Sequence, residues 1–231
     1  MGANLTKRQK TQSLVDSVFD QILALLHSRG LAGAEVLHAA TLADELGVSR
    51  TPVTLALVRL ESEGLVRKST GQGWTTIPLS LENIEGIFDL KDLLEPFAAR
   101  RAAEGVTPEA AADLLSVVED MEGASASSDL EGWLVADRCF HALVHDLAGN
   151  RRLKQFQEQL NNQLYRLESG HFATQDRMAA ACQEHRLVAE TIAAGNPDLA
   201  AEHARHHIQN LRASIVDVVQ NILMPFLGQE L

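Results

Sequence analysis

Apolar residues recur at the three- and four-residue spacing of an α-helix along almost the whole 231-residue chain. The interruption lies between Leu65 and Ile77, where two short strand-like runs flank the turn-forming segment 69–73. Aromatic residues make up only 4% of the chain, while the helix-favouring residues Ala, Leu, Glu and Gln are plentiful. The sequence therefore predicts a mainly α-helical protein that contains one small β-hairpin.

The segment before the interruption predicts three helices. The first covers residues 12–28 and follows a polar arm of a dozen residues. The second is short, about 41–46, and begins with Thr41 and Asp44 as a capping box. The third begins after the N-cap Ser49 and ends at Gly64. With the hairpin, these helices define a first domain, residues 1–78.

Residues 79–231 predict an all-helical bundle of about six helices. Thr107 and Asn196 are each an N-cap followed by proline at the first helical position, and Ser128 with Glu131 suggests a capping box. The expected breaks lie at residues 105–108, 124–128, 149–150, 169–174 and 195–197.

The two predicted domains differ in charge. The chain carries a net charge of −11, but residues 1–78 hold eight Lys and Arg against seven acidic residues, and the remainder holds twelve against twenty-four. An acidic surface repels phosphates, so only the first domain is suited to bind nucleic acid.

Two further features indicate a cytoplasmic protein. No apolar run is long enough to span a bilayer, and the polar N-terminus does not read as a signal peptide. Cys139 and Cys182 match no paired-cysteine metal spacing, and we expect both to be buried free thiols in a reducing compartment.

The order helix, short helix, glycine turn, helix and β-hairpin is that of a winged helix-turn-helix, in which the start of the third helix enters the major groove of DNA. Arg50 is suited to bidentate pairing with a guanine edge. The alternative is a helical scaffold with no nucleic-acid role. The groove-side candidates are Ser49, Arg50, Thr51 and Thr54, and the wing candidates are Lys68, Thr70, Gly71 and Gly73.

The run LADELGVSRTPV at residues 42–53, with Ala56-Leu57, Leu60-Glu61 and residues 63–66, closely resembles the GntR family of bacterial regulators. The resemblance implies a DNA-binding transcription regulator that acts as a homodimer on a palindromic operator. Two positions differ from the family pattern. Thr54 stands where an arginine is usual, and Ala40 stands near a position where an arginine is frequent. We therefore expect an operator that differs from the family norm.

Nine histidines are many for this chain, and six lie at helical positions in the second domain. Asp137 and His141 share one face of a helix, and His185 and His207 lie on the apolar stripes of two others. Burying such groups is costly unless they are paired, and one shared metal ion would satisfy them together. For each histidine alone, a hydrogen-bonded core residue is the alternative. His145 and His203 compete for ligand roles; the remaining histidines, taken as surface or packing residues, are His27, His38, His171 and His206.

The segments 137–141, 148–150 and 184–186, with the turn at 195–196, resemble the FCD domain that follows the winged domain in many GntR proteins. The resemblance implies a metal site made of Asp137, His141, His185 and His207. Zn²⁺ is the first choice there, with Ni²⁺ or Mn²⁺ as alternatives. It also implies a small organic acid that completes the metal shell, and the basic residues considered for its other end are Arg100, Arg138 and Arg166.

The sequence thus predicts a transcription regulator, a repressor, whose operator affinity changes when an organic acid binds beside the metal. Two alternatives remain at this point. The metal ion itself could be the signal, or the open metal positions could serve a hydrolase. No carboxylate is marked as a general base, so we expect no enzyme.

Overall fold

The computed structural model describes residues 7–28, 35–70, 73–77, 80–168 and 174–223. Contacts divide the chain into two compact units, Met1–Leu79 with Asn162–Ser169, and Ser80–Asn161 with Gly170–Leu231. Each unit has its own apolar core. Among the described helices, none combines the length and the apolar character that crossing a membrane requires.

The first unit has three helices and a small antiparallel sheet, as the winged helix-turn-helix prediction requires. The sheet has the order β1-β3-β2, so its central strand is the second arm of the predicted hairpin. Strand β1 was not predicted, because two residues are too few to show an alternating pattern. The elements are α1 (Lys7–Ser28), β1 (Val36–Leu37), α2 (Ala39–Glu45), α3 (Arg50–Ser62), β2 (Val66–Ser69) and β3 (Gly73–Thr76).

Helix α1 begins earlier than predicted. The expected polar arm is wrong for residues 7–12, which are helical. These residues lack an apolar stripe in the sequence, but Lys, Arg and Gln have good helix propensity, which a periodicity argument does not register. The apolar stripe itself is confirmed, since Val18 and Ile22 are buried against Leu57 and Leu60 of α3 in one core.

The start of α2 also differs from the prediction. His38 is the N-cap and provides no side-chain cap, so the capping box of Thr41 and Asp44 is wrong. The helix begins directly after β1 because Leu42 and Ala43 must enter the core, and that packing outweighs local capping preference. The bounds of α3 are confirmed: Ser49 is its N-cap, although its side chain accepts no hydrogen bond, and Gly64 follows the helix with φ +74°.

The second unit is all-helical, and the six predicted helices are found among the described residues after position 80, although the end of α7, from Asn162, belongs to the first unit. Helix α4 packs against α6 and α9, and α5 packs against α6 and α8. Helix α9 continues into a π-helical turn, Val219–Leu223. The helices are α4 (Leu81–Gly105), α5 (Pro108–Ala126), α6 (Leu130–Leu147), α7 (Arg151–Glu168), α8 (Gln175–Ala193) and α9 (Pro197–Val218).

The caps of this unit are confirmed at two helices and wrong at a third. Thr107 and Asn196 accept hydrogen bonds from the backbone N–H groups of residues 110 and 199. The cap of α6 is Asp129, so the predicted box of Ser128 with Glu131 is displaced by one residue. Ser128 has φ 58° and closes the turn after α5, whereas an N-cap needs an extended backbone.

Both cysteines are free. Cys182 is buried as expected, but Cys139 is exposed, so that half of the expectation is wrong. Residue 139 lies on α6 between the inward positions 137 and 141, and the helical period turns it outward.

Candidate functional site

The DNA-reading candidates lie at the start of α3. Ser49, Arg50 and Thr51 are exposed, and Thr54 is half-buried. Their accessibility follows from the opposite face of the helix, where Val53 and other apolar residues enter the core of the first unit. The proposed groove contacts are therefore available to DNA and stay predictions.

The wing, the hairpin of β2 and β3, is hydrogen-bonded to one carboxylate of α3 that was not predicted from the sequence. Glu61 accepts a hydrogen bond from the Lys68 backbone N–H at 3.0 Å and one from Trp74 Nε1 at 3.3 Å. Lys68 and Thr70 are exposed, and Gly71 lies outside the described residues. Glu61 therefore holds the hairpin in a set position beside the reading helix.

The predicted metal ligands come together in the second unit. Asp137 and His141 project from α6, His185 from α8 and His207 from α9, and all four are buried. His185 Nε2 lies 3.4 Å from His141 Nε2 and 3.3 Å from Asp137 Oδ1. Ligand nitrogens of the three histidines all lie within 4.8 Å of one another. Three helices thus converge on one point.

The outer nitrogens of two histidines are engaged, which turns their Nε2 atoms toward the cluster. His185 Nδ1 lies 2.7 Å from the Ala181 carbonyl oxygen and donates a hydrogen bond to it. His207 Nδ1 lies 2.7 Å from Glu184 Oε2. His207 Nε2 is buried and has no hydrogen-bond partner. A buried lone pair without a partner is costly, and a metal ion would satisfy it.

Glu184 is itself held in place. Arg177 binds both of its carboxylate oxygens, at 2.9 and 2.8 Å, and Asn210 Nδ2 donates to one of them at 2.9 Å. Burial alone would raise the pKa of Glu184, but the hydrogen bonds from Arg177 and His207 outweigh it and lower this pKa to about 2. The carboxylate therefore stays charged and fixes the orientation of the His207 ring.

Two of the three histidines, His185 and His207, have pKa values shifted toward the neutral form that binds metals, and His141 is shifted the other way. Burial, with the neighbouring charges of His207 and His141, holds the pKa of His185 well below its usual value. Burial also lowers the pKa of His207. Burial would lower the pKa of His141 too, but Asp137 and Glu95 outweigh it and raise that pKa. His185 and His207 are thus neutral near pH 7, and neutral imidazole is the form that binds metals.

A second buried polar cluster adjoins the first. Glu95 Oε2 on α4 lies 3.3 Å from His145 Nε2 and 3.8 Å from His141 Nδ1, and Glu95 Oε1 lies 2.8 Å from Lys91 Nζ. Lys91 also donates to Asn161 Oδ1 on α7. Burial would raise the pKa of Glu95, but Lys91 and His145 hold it well below its usual value.

The two competing histidines differ in their surroundings. Glu95, His141 and His145 are close enough to hold a metal ion of their own, but the Lys91 ammonium already supplies the positive charge beside Glu95. His145 is therefore a partner of Glu95, and the choice of His141 over His145 as a metal ligand stays a prediction. His203 is half-buried and is absent from both of the metal-sized clusters formed by the described residues.

Lys91 and Glu95 were missed by the sequence reading, although a signal was present. They lie on the buried stripe of α4 whose apolar members include Ile84, Phe88 and Ala98. Residues 84, 88, 91, 95 and 98 recur at the spacing of one helix face. Two opposite charges on such a stripe, four residues apart, indicate a buried ion pair.

The donor set fits a divalent transition metal. Three imidazole nitrogens and one carboxylate oxygen suit Zn²⁺, Ni²⁺ or Mn²⁺, and the partnerless His207 Nε2 is the observation that favours such an ion. A small cavity borders this site and is lined in part by His141, His207 and Glu95.

Two of the three arginines considered for the effector are not brought to this cavity. Arg100 pairs with Asp198 at 2.6 Å, with 42% of its side chain exposed, and Arg138 is exposed. Neither residue lines the cavity. The side chain of Arg166 lies outside the described part of the chain.

Comparison with known proteins matches both units. Residues 86–210 match the FCD domain, and residues 14–75 match the bacterial regulatory proteins of the gntR family. An uncharacterised HTH-type transcriptional regulator of Agrobacterium vitis is 33% identical over 143 residues, which cover 61% of this chain and 81% of that protein. FCD domains are known to bind metal ions.

Two further proteins extend this comparison. The HTH-type transcriptional regulator McbR of Escherichia coli is 28% identical over 155 residues, 67% of this chain and 70% of McbR. Its solved structure superimposes with a TM-score of 0.73 at 23% identity, over 94% of this chain and 99% of that one. The gluconate operon transcriptional repressor of Bacillus subtilis is 31% identical over 109 residues, 47% of this chain and 44% of the repressor.

Proposed function

This chain belongs to the GntR family of bacterial regulatory proteins with an FCD domain, and from that premise we propose that it is a metal-dependent, organic-acid-responsive repressor. Its family and relatives are transcription regulators and not enzymes. The observation that carries the metal-dependent part is the cluster of three imidazoles, with Asp137 beside His185 and with His207 Nε2 buried without a partner.

The first unit supplies operator binding. The exposed Arg50 at the start of α3 would pair with a base edge, and Ser49 and Thr51 would contact phosphates or bases. Thr54 occupies the position of a usual family arginine, so we expect an unusual operator. We infer that the protein acts in the cytoplasm and that its target there is operator DNA.

The second unit supplies the signal. Asp137, His141, His185 and His207 would hold a divalent metal, which when bound acts as a Lewis acid for the carboxylate of an effector. Glu184 and the Ala181 carbonyl orient two of the imidazoles. The effector changes operator affinity only if it binds the two states of the protein differently. Repression that the effector relieves is the direction we propose, since two relatives are named as operon repressors.

A homodimer completes the proposal, and one face of α4 is suited to form it. Leu90, Leu93 and Phe97 lie along this face and are 49%, 71% and 45% exposed. The exposed charges in the first half of α4 are acidic, and those in the second half are Arg100, Arg101 and Glu104, a net charge of +1. Two copies of α4 that cross antiparallel near Leu93 would bury the apolar stripe and bring the acidic half of one opposite the basic half of the other.

The dimer is tested by Leu93→Glu, which places a charge in the middle of the stripe. We expect light scattering to report a monomer and binding to a palindromic operator to weaken. Val135→Glu is the matched control, because Val135 is a 48%-exposed apolar residue on α6 outside the stripe. A dimer that persists in the Leu93 variant contradicts this interface.

The central experiment compares the wild type with His185→Ala. Elemental analysis should find a transition metal in the wild type, and calorimetry should detect binding of a carboxylic acid that also alters operator affinity. The variant should lose the metal and the response to the acid. Its first unit should still bind DNA. A wild type that cannot be loaded with metal contradicts the sensing half of the proposal.

The same preparation separates the direct metal sensor from this proposal. Operator affinity is measured across a metal titration without any acid. A large change would show that the ion itself is the signal. If the metal is bound tightly and operator affinity changes only after an acid is added, the organic-acid hypothesis is supported.

A further inference from the structure

The exposed face of α3 is apolar along the middle of the helix. Between Arg50 and Arg59 the helix carries no charged side chain. Thr51, Leu55 and Val58 are spaced by four and three residues, so they share one face, opposite the residues that enter the core of the first unit. Leu55 is 47% exposed and Val58 is 49% exposed. The apolar face of α3, made of these three residues, therefore presents methyl groups to whatever α3 contacts.

This apolar face is continuous with the groove-side residues at the start of α3. Arg50 directly precedes Thr51, and both are exposed. Leu55 follows Arg50 by five residues, which is about 7.5 Å along a helix axis and about two base-pair steps of DNA. A helix that places Arg50 on a base edge is therefore able to bring Leu55 to a neighbouring base pair of the same groove.

The acidic residues at the end of α3 are engaged away from this face. Glu61 accepts hydrogen bonds from the wing, and Glu63 is buried and pairs with Arg59 at 3.1 Å. On the neighbouring strand β2, Arg67 and Lys68 are exposed. Basic residues flank the apolar face, and its own members are uncharged, so DNA phosphates can approach it without repulsion.

The major groove offers one apolar group to such a face, the C5-methyl group of thymine. The other three bases present hydrogen-bond donors and acceptors at their major-groove edges. A leucine side chain makes no hydrogen bonds, so covering those edges would leave polar groups without partners. Covering a methyl group removes apolar surface from water on both sides of the contact. The apolar face is therefore suited to distinguish thymine from the other bases.

We propose that Leu55, supported by Val58, reads the methyl group of a thymine in the operator. The inference rests on the proposed function, because it requires the start of α3 to lie in the major groove. It adds an apolar contact to the hydrogen bonds expected from Arg50. It also places the thymine within about two base pairs of the guanine that Arg50 contacts.

Deoxyuridine tests the inference, because it differs from thymidine only in lacking the C5-methyl group. An operator is first selected with the full chain from a library of random DNA duplexes. Each thymine of the half-site is then replaced by deoxyuridine, one position at a time and in both half-sites, and affinity is measured by fluorescence anisotropy. At one position we expect a loss of about fourfold for each half-site, the ratio that burial of one methyl-sized group gives.

Three variants locate the cause. Leu55→Ala shortens an exposed side chain and keeps a good helix former, so the fold should persist. This variant should bind the thymine and deoxyuridine operators equally well, and Val58→Ala should reduce the discrimination without abolishing it. Leu14→Ala is the matched control, because Leu14 is a 42%-exposed leucine of α1 outside the apolar face. The control should discriminate as the wild type does.

The outcomes separate this inference from the proposed function. If an operator is selected but deoxyuridine costs no affinity at any position, or if the cost persists in Leu55→Ala, thymine readout by Leu55 is wrong and the DNA-binding regulator stands. A change of oligomeric state in Leu55→Ala, measured by light scattering, would make this face a protein contact and overturn the inference. If the chain selects no DNA sequence, operator binding itself fails. A methyl-dependent loss that Leu55→Ala removes supports both.

Discussion

The two units place their functional side chains in opposite ways. In the first, Ser49, Arg50 and Thr51 are exposed at the start of α3, and the backbone of a packed helix positions them. In the second, Asp137 and its three histidines are buried, and side chains position one another. A change in the first unit should therefore act locally, whereas a change in the second should spread to its neighbours.

The largest expected difference concerns the stability of the buried network. Lys91→Met keeps the length of the side chain but leaves the Glu95 carboxylate buried without its ammonium partner. We expect the free energy of unfolding to fall by about 3–5 kcal/mol, the usual cost of removing one partner of a buried ion pair. Denaturant unfolding measures it.

Arg212→Ala is the matched control for this comparison. Arg212 pairs with Asp89 at 2.9 Å, and their side chains are 34% and 68% exposed. Exposed pairs contribute about 0–1 kcal/mol, so this variant should unfold nearly as the wild type does. Equal losses in the two variants would contradict the distinction between buried and exposed charges.

A smaller effect is expected where a side chain acts on the metal through a ligand. Glu184→Gln removes the charged acceptor of His207 Nδ1, and metal affinity should fall by about 10- to 100-fold, as for other partners of metal-bound histidines. Competition with a chelator of known affinity measures it. Glu122→Gln is the control, because Glu122 pairs with Arg186 at the protein surface, with distances of 2.8 and 2.6 Å. Its metal affinity should be unchanged.

The most local effect is expected in the reading helix. Arg50→Ala should weaken operator binding by about 1–3 kcal/mol, the contribution of one bidentate base contact. Fluorescence anisotropy with labelled operator DNA measures it. The loss should disappear on an operator changed at the contacted base pair, and metal content should stay constant. Arg152 is an exposed arginine of α7, and the control variant Arg152→Ala should bind the operator normally. If Arg50→Ala instead weakens binding equally on all DNA sequences, Arg50 contacts a phosphate and not a base.

Much of the site was predictable because helical periodicity identifies which residues face inward. That pattern placed Asp137, His141, His185 and His207 on buried faces but left His145 and His203 as competitors. The resemblance to the FCD domain singled out the four residues, and the structure brings them together.

Glu184 and the pair of Lys91 and Glu95 were not predicted, because charged residues are usually exposed. For Lys91 and Glu95, their four-residue spacing on the apolar stripe of α4 was an available signal. The arginines considered for the effector were chosen by charge alone, and the described ones lie away from the cavity.

Helix capping shows the same limit at single residues. The sequence placed a helix start near residue 128, and the structure uses Asp129 because Ser128 is needed in a left-handed turn. Helix α2 begins after His38 and not at the predicted capping box, because core packing of Leu42 and Ala43 outweighs the capping preference of Thr41. Cap position depends on tertiary contacts that a short segment does not encode.

The sequence by itself determined the mainly helical class, the hairpin, the six helices of the second unit and the faces that are buried. These features follow from contacts between residues three or four apart, which each short segment specifies alone. The tertiary structure alone decided that His145 pairs with Glu95, that Glu184 orients His207 and that Glu95 lines the cavity. Those contacts join different helices, and their geometry depends on how side chains of several helices interlock in one core.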